Sequence, residues 1–349
     1  WKGRVNLSGE VYIKKIADLL VKDFPLPGVS GFVSSTRNGG DMKNTGVEFT
    51  LSGEVIRKKN FKMKSNIVFS KYKNEITSWV GGGQFIRENK YSGYVAEGYA
   101  YGVFWEVPVL GVFADQNEIN NYAIKNPTTG TTTLIQPAAK PGDLKYADTN
   151  GDGVINIFDR TVVGSPHPDF TLGVGFDFTY KNWSLNIFTN SVYGKSVYNA
   201  SNIELMNTSE FNTNRYDEPW GQATTVSPRM LNRWTPTNIY TDVPKLGSVN
   251  ANGLSANVSN VEDGSFIRVE NIALSYKFPS KKSSIIKNSS IVASVQNAFL
   301  FTKYKGTDPE NVQPEPGGWA LPQSSSMLAF DNFGYPRPIV YTLGINVTF

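Results

Sequence analysis

Hydrophobic and polar residues alternate strictly in the middle of this chain. Phe170, Leu172, Val174, Phe176, Phe178 and Tyr180 share one parity, and Thr171, Gly173, Gly175, Asp177 and Thr179 share the other. Side chains of a strand point alternately to its two faces, so the pattern predicts a strand with one apolar and one wet side. Lys181-Asn182 then suits a tight hairpin turn, and Trp183, Leu185 and Ile187 resume the alternation against Ser184, Asn186 and Asn190. The same period runs through six more stretches: 4–18, 44–56, 61–74, 264–278, 288–301 and 338–349. The last carries Ile339, Tyr341, Leu343, Ile345, Val347 and Phe349 against Thr342, Gly344, Asn346 and Thr348.

The connections between these eight predicted strands alternate in length. Arg57 to Asn60, Lys181-Asn182 and 279–287 are short, whereas 19–43, 75–169, 194–263 and 302–337 are long. A soluble sandwich shares long and short loops between both ends; an outer-membrane barrel has short turns on the periplasmic side and long loops outside. The alternation therefore favours an all-β transmembrane antiparallel barrel wall with long extracellular loops. Aromatics at strand ends, such as Tyr180 and Trp183 around one turn, fit an interfacial girdle, although aromatic-rich β packing places rings there too.

Composition agrees with a β-rich chain. Of 349 residues, 32 are Gly, 17 Tyr and 21 Phe, while only 18% are charged, below the usual quarter. No apolar run approaches the ~20 residues of a membrane helix. A mean hydropathy of −0.30 does not exclude a barrel, whose strands put only alternate residues into lipid. The formal charge of +4 is small for this length and the basic residues form no stripe, which argues against nucleic acid as a partner. There is no cysteine, so disulfides, thiol catalysis and cysteine zinc sites are excluded. The sequence opens at Trp1 without Met or a leader pattern, which implies a removed signal or a piece of a longer protein.

One loop carries metal-ligand spacing. From Asp148 to Asp159, oxygen-bearing side chains stand at positions 1, 3, 5, 9 and 12 (Asp148, Asn150, Asp152, Asn156, Asp159), with Gly153 at position 6 and the Val154 carbonyl at position 7. Hard oxygen ligands at this spacing suit a structural Ca2+ ion. The same residues also suit an ion-free turn held by Asx side chains on backbone N–H groups. Position 12 is Asp rather than the bidentate Glu of the helix-loop-helix form, and β-type sequence follows. Loop aromatics including Trp79, Trp105, Trp220, Trp234 and Trp319 are candidates to stack on a substrate, or simply to pack loops together. Catalysis has little to stand on: His167 is the sole histidine, no nucleophile-elbow or zinc-protease pattern occurs, and an enzyme is not expected.

Residues 148–188 (DTNGDGVINIFDR, then VGSPHPDFTLGVGFDFTYKNWSLNIF) resemble the marker region of the SusC/RagA family of TonB-linked outer-membrane proteins of Bacteroidetes-type bacteria. So do 38–51, 95–113, 231–238, 261–280, 295–310 and the closing GYPRPIVYTLGINVTF, in family order. The resemblance implies a plugged barrel of about 22 strands. Such a protein imports oligosaccharides or peptides with a SusD-like surface lipoprotein as lid and TonB as energy source, in some cases as a homodimer of the transporter-lid pair. Residues 1–349 would be the carboxy-terminal portion of that barrel, without plug or TonB box, and Tyr341, Leu343, Ile345, Val347 and Phe349 would supply the membrane-insertion signal. From the acidic loop and aromatics alone, the competing reading is a secreted, calcium-stabilised, carbohydrate-binding β-sandwich.

Overall fold

The computed structural model describes residues 4–25, 28–32, 34–85, 93–125, 128, 130–206, 227–245, 261–279, 288–310, 329–331 and 334–348. Trp220, Trp319 and Phe349 lie outside them. Eight long strands dominate: β1 (Val5–Pro25), β2 (Ser34–Arg57), β3 (Phe61–Trp79), β4 (Phe170–Tyr180), β5 (Trp183–Tyr193), β6 (Phe266–Phe278), β7 (Asn288–Thr302) and β8 (Val340–Thr348). They form one antiparallel sheet in sequence order, with β1 and β8 at its edges among the described residues. No helix among the described residues is long and apolar enough to cross a membrane.

All eight strands expected from the alternation are present, but the first three run further than predicted. The stretch 19–43 is not a long loop: the β1–β2 ladder continues through it, pairing Leu20 with Asn38 and Pro25 with Ser34. Bulges between Ile16 and Leu19, Leu19 and Leu20, and Val21 and Phe24 each break the period of two, and Asp18 sits at φ 58°. A one-residue slip exchanges the faces, so the pattern ends where the strand does not. Likewise β3 continues past 74 to Trp79.

Register shows how the faces line up. One transverse row reads Met63, Phe178, Leu185, Leu274, Ala293, Leu343, apolar on every strand from β3 to β8. Its outer side is uncovered: Leu7 is 73% exposed and Leu343 72%, values that a second sheet packed on this face would abolish. The sandwich reading fails on that point. Toward the short turns the next row is Phe61, Tyr180, Trp183, Tyr276, Ile291, Ile345, with Trp183 and Tyr276 4.7 Å apart between ring centroids. Near the other end Phe69, Phe170 and Tyr193 stack in turn at 5.7 and 5.2 Å, with Phe301 further along the same level. β5 links the two belts over its 11 residues. At ~3.4 Å per residue that is roughly 34 Å along the strand. A tilt of about 40° makes it roughly 26 Å high, the height of a lipid-facing apolar band.

The opposite face is polar. The row Lys64, Asp177, Asn186, Ala273, Ser294, Thr342 crosses six strands. Asn186 Nδ2 donates to Asp177 Oδ1 at 2.8 Å, and Asn271 Nδ2 to Asn186 Oδ1 at 2.8 Å. Side chains that hydrogen-bond to one another across strands belong to a wet lumen, and the rings and aliphatics to lipid.

Candidate functional site

The wall has almost no interior of its own; most fully buried apolar side chains lie in the long loops. Three of those loops meet in one core of Phe104, Val197, Tyr198, Ala200, Tyr304, Ala329 and Phe330. Tyr198 stacks on Phe330 at 5.8 Å and meets Phe104 at 5.8 Å. Backbone pairing joins the same segments: Ser196–Asn199 runs antiparallel to Val261–Asp263 and parallel to Phe330–Asp331. The long loops are therefore a packed crown on one end of the wall.

Charge secures the crown to the wall. Arg268, on β6, donates from Nη2 to Asp308 Oδ1 at 2.6 Å and from Nε to Glu310 Oε2 at 2.9 Å; its side chain is 3% exposed and that of Asp308 2%. Arg337 reaches Glu310 Oε1 at 3.1 Å, and Lys195 Nζ donates to the Pro309 carbonyl at 3.0 Å. Burial pushes the Lys195 ammonium below its usual range, against the opposing pull of Glu310 and Asp308. Nearby, the Tyr304 hydroxyl donates to Asp331 Oδ2 at 2.6 Å. Burial foremost, and then this bond, raise the Tyr304 phenol well above its ordinary value. Nothing in a local reading of the sequence flags this network, because its partners are distant in the chain.

The acidic loop is a run of local hydrogen bonds. Asp148 accepts from the Gly151 and Gly153 amides at 2.7 and 2.9 Å, Asn150 from Asp152 N at 2.9 Å, and Asp152 from Val154 N at 2.8 Å. Gly151 and Gly153 hold φ of 75° and 82°, where a side chain is strained. Asn156 caps a single 3-10 turn, Ile157–Asp159, and its Nδ2 donates to the Val154 carbonyl at 3.2 Å. Asp159 is fully buried and accepts from Thr149 N at 2.9 Å and Asn156 N at 2.7 Å. Among the described residues no group of three or more Asp, Glu or His side chains converges as a metal cluster.

The described tryptophans divide by environment. Trp234 donates from Nε1 to the Ala114 carbonyl at 3.0 Å, and its ring lies 2.7 Å from where a Cβ on Gly142 would stand, so it pins one crown segment to another. Trp79, at the end of β3, packs over Gly40 in the same way. Trp105 stacks on Tyr94 at 4.7 Å and meets Tyr99 edge-on at 5.5 Å, an aromatic trio whose Tyr99 is exposed. His167 has both ring nitrogens engaged, by the Tyr72 hydroxyl at 3.0 Å and the Tyr101 carbonyl at 2.9 Å. Burial lowers its pKa, so the neutral ring ties the crown to β3. On β8, Tyr341, Leu343, Ile345 and Val347 all stand on the outward face.

No family model matches the chain. It is 32% identical over its whole length to "TonB-dependent receptor P26" of Formosa agariphila, covering 33% of that protein. "TonB-dependent receptor SusC" of Bacteroides thetaiotaomicron is 24% identical over 99% of the chain and 30% of its own length. The chain thus spans about a third of the curated relatives it matches. Among solved structures, one described as "Structure of the RagAB peptide transporter" superposes on all of the chain and on 34% of its own, with a TM-score of 0.70 at 23% identity. These likenesses bear out the resemblance to the SusC/RagA group: the sheet is wall from an outer-membrane barrel of that type, and the relatives are receptors and transporters rather than enzymes.

Proposed function

We propose that this chain supplies part of the wall and of the extracellular mouth of a TonB-dependent importer of large nutrients, oligosaccharides or peptides, working with a surface lipoprotein as lid. The observation that carries this reading is the crown: three long loops with a shared core stand on one end of a wall bounded by two aromatic belts. Loops of this length without a role are uncommon. The names of the relatives support it, with SusC among the sequences and a peptide transporter among the structures.

The lid meets the crown at its exposed apolar side chains. Leu231 and Tyr240 are each 87% exposed on a segment that Thr241 Oγ1 braces against the Asn232 carbonyl at 2.6 Å. Because neither residue supports the fold, Leu231→Glu plus Tyr240→Glu is expected to weaken co-purification of the lipoprotein and slow nutrient uptake while the barrel assembles normally. Undiminished recovery of the lipoprotein from the doubly substituted receptor would sink this assignment.

For the acidic loop, we propose one structural calcium ion held by the oxygens of Asp148, Asn150, Asp152, Asn156 and Asp159 and the Val154 carbonyl. The ligand spacing supports it, and so does the second lone pair that each hydrogen-bonded carboxylate oxygen keeps. A ligand bound only by the folded state raises stability by mass action. Calcium should therefore raise the Tm of the intact receptor, and Asp148→Ala plus Asp152→Ala should remove that response. Equal responses of wild type and variant to calcium and to chelator would leave the loop as an ion-free Asx turn.

A further inference from the structure

We propose that the short-turn rim of the wall is a docking surface for anionic phospholipid headgroups, in the leaflet that contacts this end of the barrel. The turns there are joined to one another rather than independent. Lys58 N donates to the Phe61 carbonyl at 2.8 Å and closes the first turn; Lys181 N donates to the Asn60 carbonyl of that turn at 3.0 Å. Asn182 and Lys277 then exchange two bonds, Lys277 N to the Asn182 carbonyl at 2.9 Å and Asn182 Nδ2 to the Lys277 carbonyl at 2.8 Å. This chain of contacts fixes Lys58, Lys59 and Lys181 along a continuous ledge, with Lys277 beside it at the end of β6 on the lumen-facing parity, and all four residues are exposed.

The ledge carries one sign of charge. The Glu54 carboxylate, near the first turn, is taken by Arg57 at 2.7 Å, and among the described residues none of the four lysines is paired with an acid. Height supplies the second observation. The aromatic row of Phe61, Tyr180, Trp183 and Tyr276 marks the edge of the apolar band. The lysines stand within one to three residues of it, or about 10 Å along a strand. Headgroups occupy that layer, roughly 5–8 Å thick on each side of the hydrocarbon. Lys181 also lies over the Tyr180 ring, 5.4 Å from its centroid, so one cation is held at the interface by an interfacial aromatic. Cations on flexible stems at this depth meet lipid phosphodiesters, and a net negative headgroup adds attraction that a zwitterionic one lacks.

The proposal rests on the wall standing in a bilayer. The intact receptor, folded into nanodiscs of phosphatidylethanolamine with a minor share of phosphatidylglycerol, should carry a phosphatidylglycerol-enriched annulus, read by mass spectrometry of retained lipids. Lys58→Gln, Lys59→Gln, Lys181→Gln and Lys277→Gln together should cut that enrichment at least about fivefold, the order expected for even one juxtamembrane cation. The corresponding four arginine substitutions should preserve it, and high salt should reduce it in wild type. Lys125→Gln plus Lys140→Gln, which removes two charges from the crown, should leave it unchanged. Enrichment that survives the four glutamines, or falls equally with the crown pair, overturns the proposal. So does a quadruple variant that keeps its lipid but loses retention of an acidic polysaccharide, which would assign the ledge to a polymer. Assembly is followed separately by heat-dependent migration in gels, so a failed wall and a failed ledge give different results.

Discussion

Arg268→Met is expected to release the loop that follows β7 from the wall, at a cost of about 3–5 kcal/mol, the usual penalty for removing one partner of a buried ion pair. The penalty arises less from lost attraction than from what stays behind. Among the described residues Asp308 would keep only backbone hydrogen-bond donors, Glu310 N at 3.0 Å and Arg337 N at 3.4 Å, with the Lys195 ammonium nearby but its Nζ donating to the Pro309 carbonyl. Arg337 cannot substitute, since it is already committed to Glu310 and lies partly in solvent. Because the wall strands keep their own ladders, the loss should appear as local opening. Limited proteolysis should cut between 303 and 337 in the variant while heat-dependent migration of the barrel persists. Arg268→Met combined with Asp308→Leu should recover much of the loss, because a hydrophobic pair of similar volume no longer carries an uncompensated charge. A single variant as protease-resistant as wild type would show that the network is ornamental.

What could be read in advance follows from how local each signal is. The wall was legible because period-two alternation needs no knowledge of the partner strand, and loop length then ordered the strands. It failed in the upper part of β1 and β2 because successive bulges exchange faces within a few residues. The acidic loop was legible as well, since every bond described in it closes within 12 consecutive residues, from Asp148 to Asp159. The crown was not. Tyr198 finds Phe330 only after the chain has crossed the wall two more times, and Arg268 finds Asp308 40 positions away. Neither residue differs, within its own window, from any aromatic or arginine beside a strand end. The same limit applied to Trp234, whose role depends on Gly142 leaving space at φ 86°. A strained glycine is invisible until the ring above it is placed.

Register also sets which position on the lipid face should be least tolerant of charge. Leu343 lies one step from the aromatic row at the short turns, whereas the row of Phe176, Ile187, Ile272, Val295 and Tyr341 sits nearer mid-height between the belts. An arginine at the bilayer midplane costs about 2–4 kcal/mol, and the cost falls toward the interface as the side chain snorkels. Val295→Arg is therefore expected to carry that full cost and Leu343→Arg a smaller one. Ser294 is the decisive control. It is the next residue in the chain, it pairs with Ala273 and Thr342 on the polar face, and Ser294→Arg should cost far less than Val295→Arg even though the two sites are one peptide bond apart. Reversible unfolding of the intact receptor in lipid vesicles measures all three. Similar costs at 294 and 295 would mean that the two faces do not meet different solvents. The alternation would then reflect packing against protein on both sides, and a barrel wall between lipid and a wet lumen would no longer explain it.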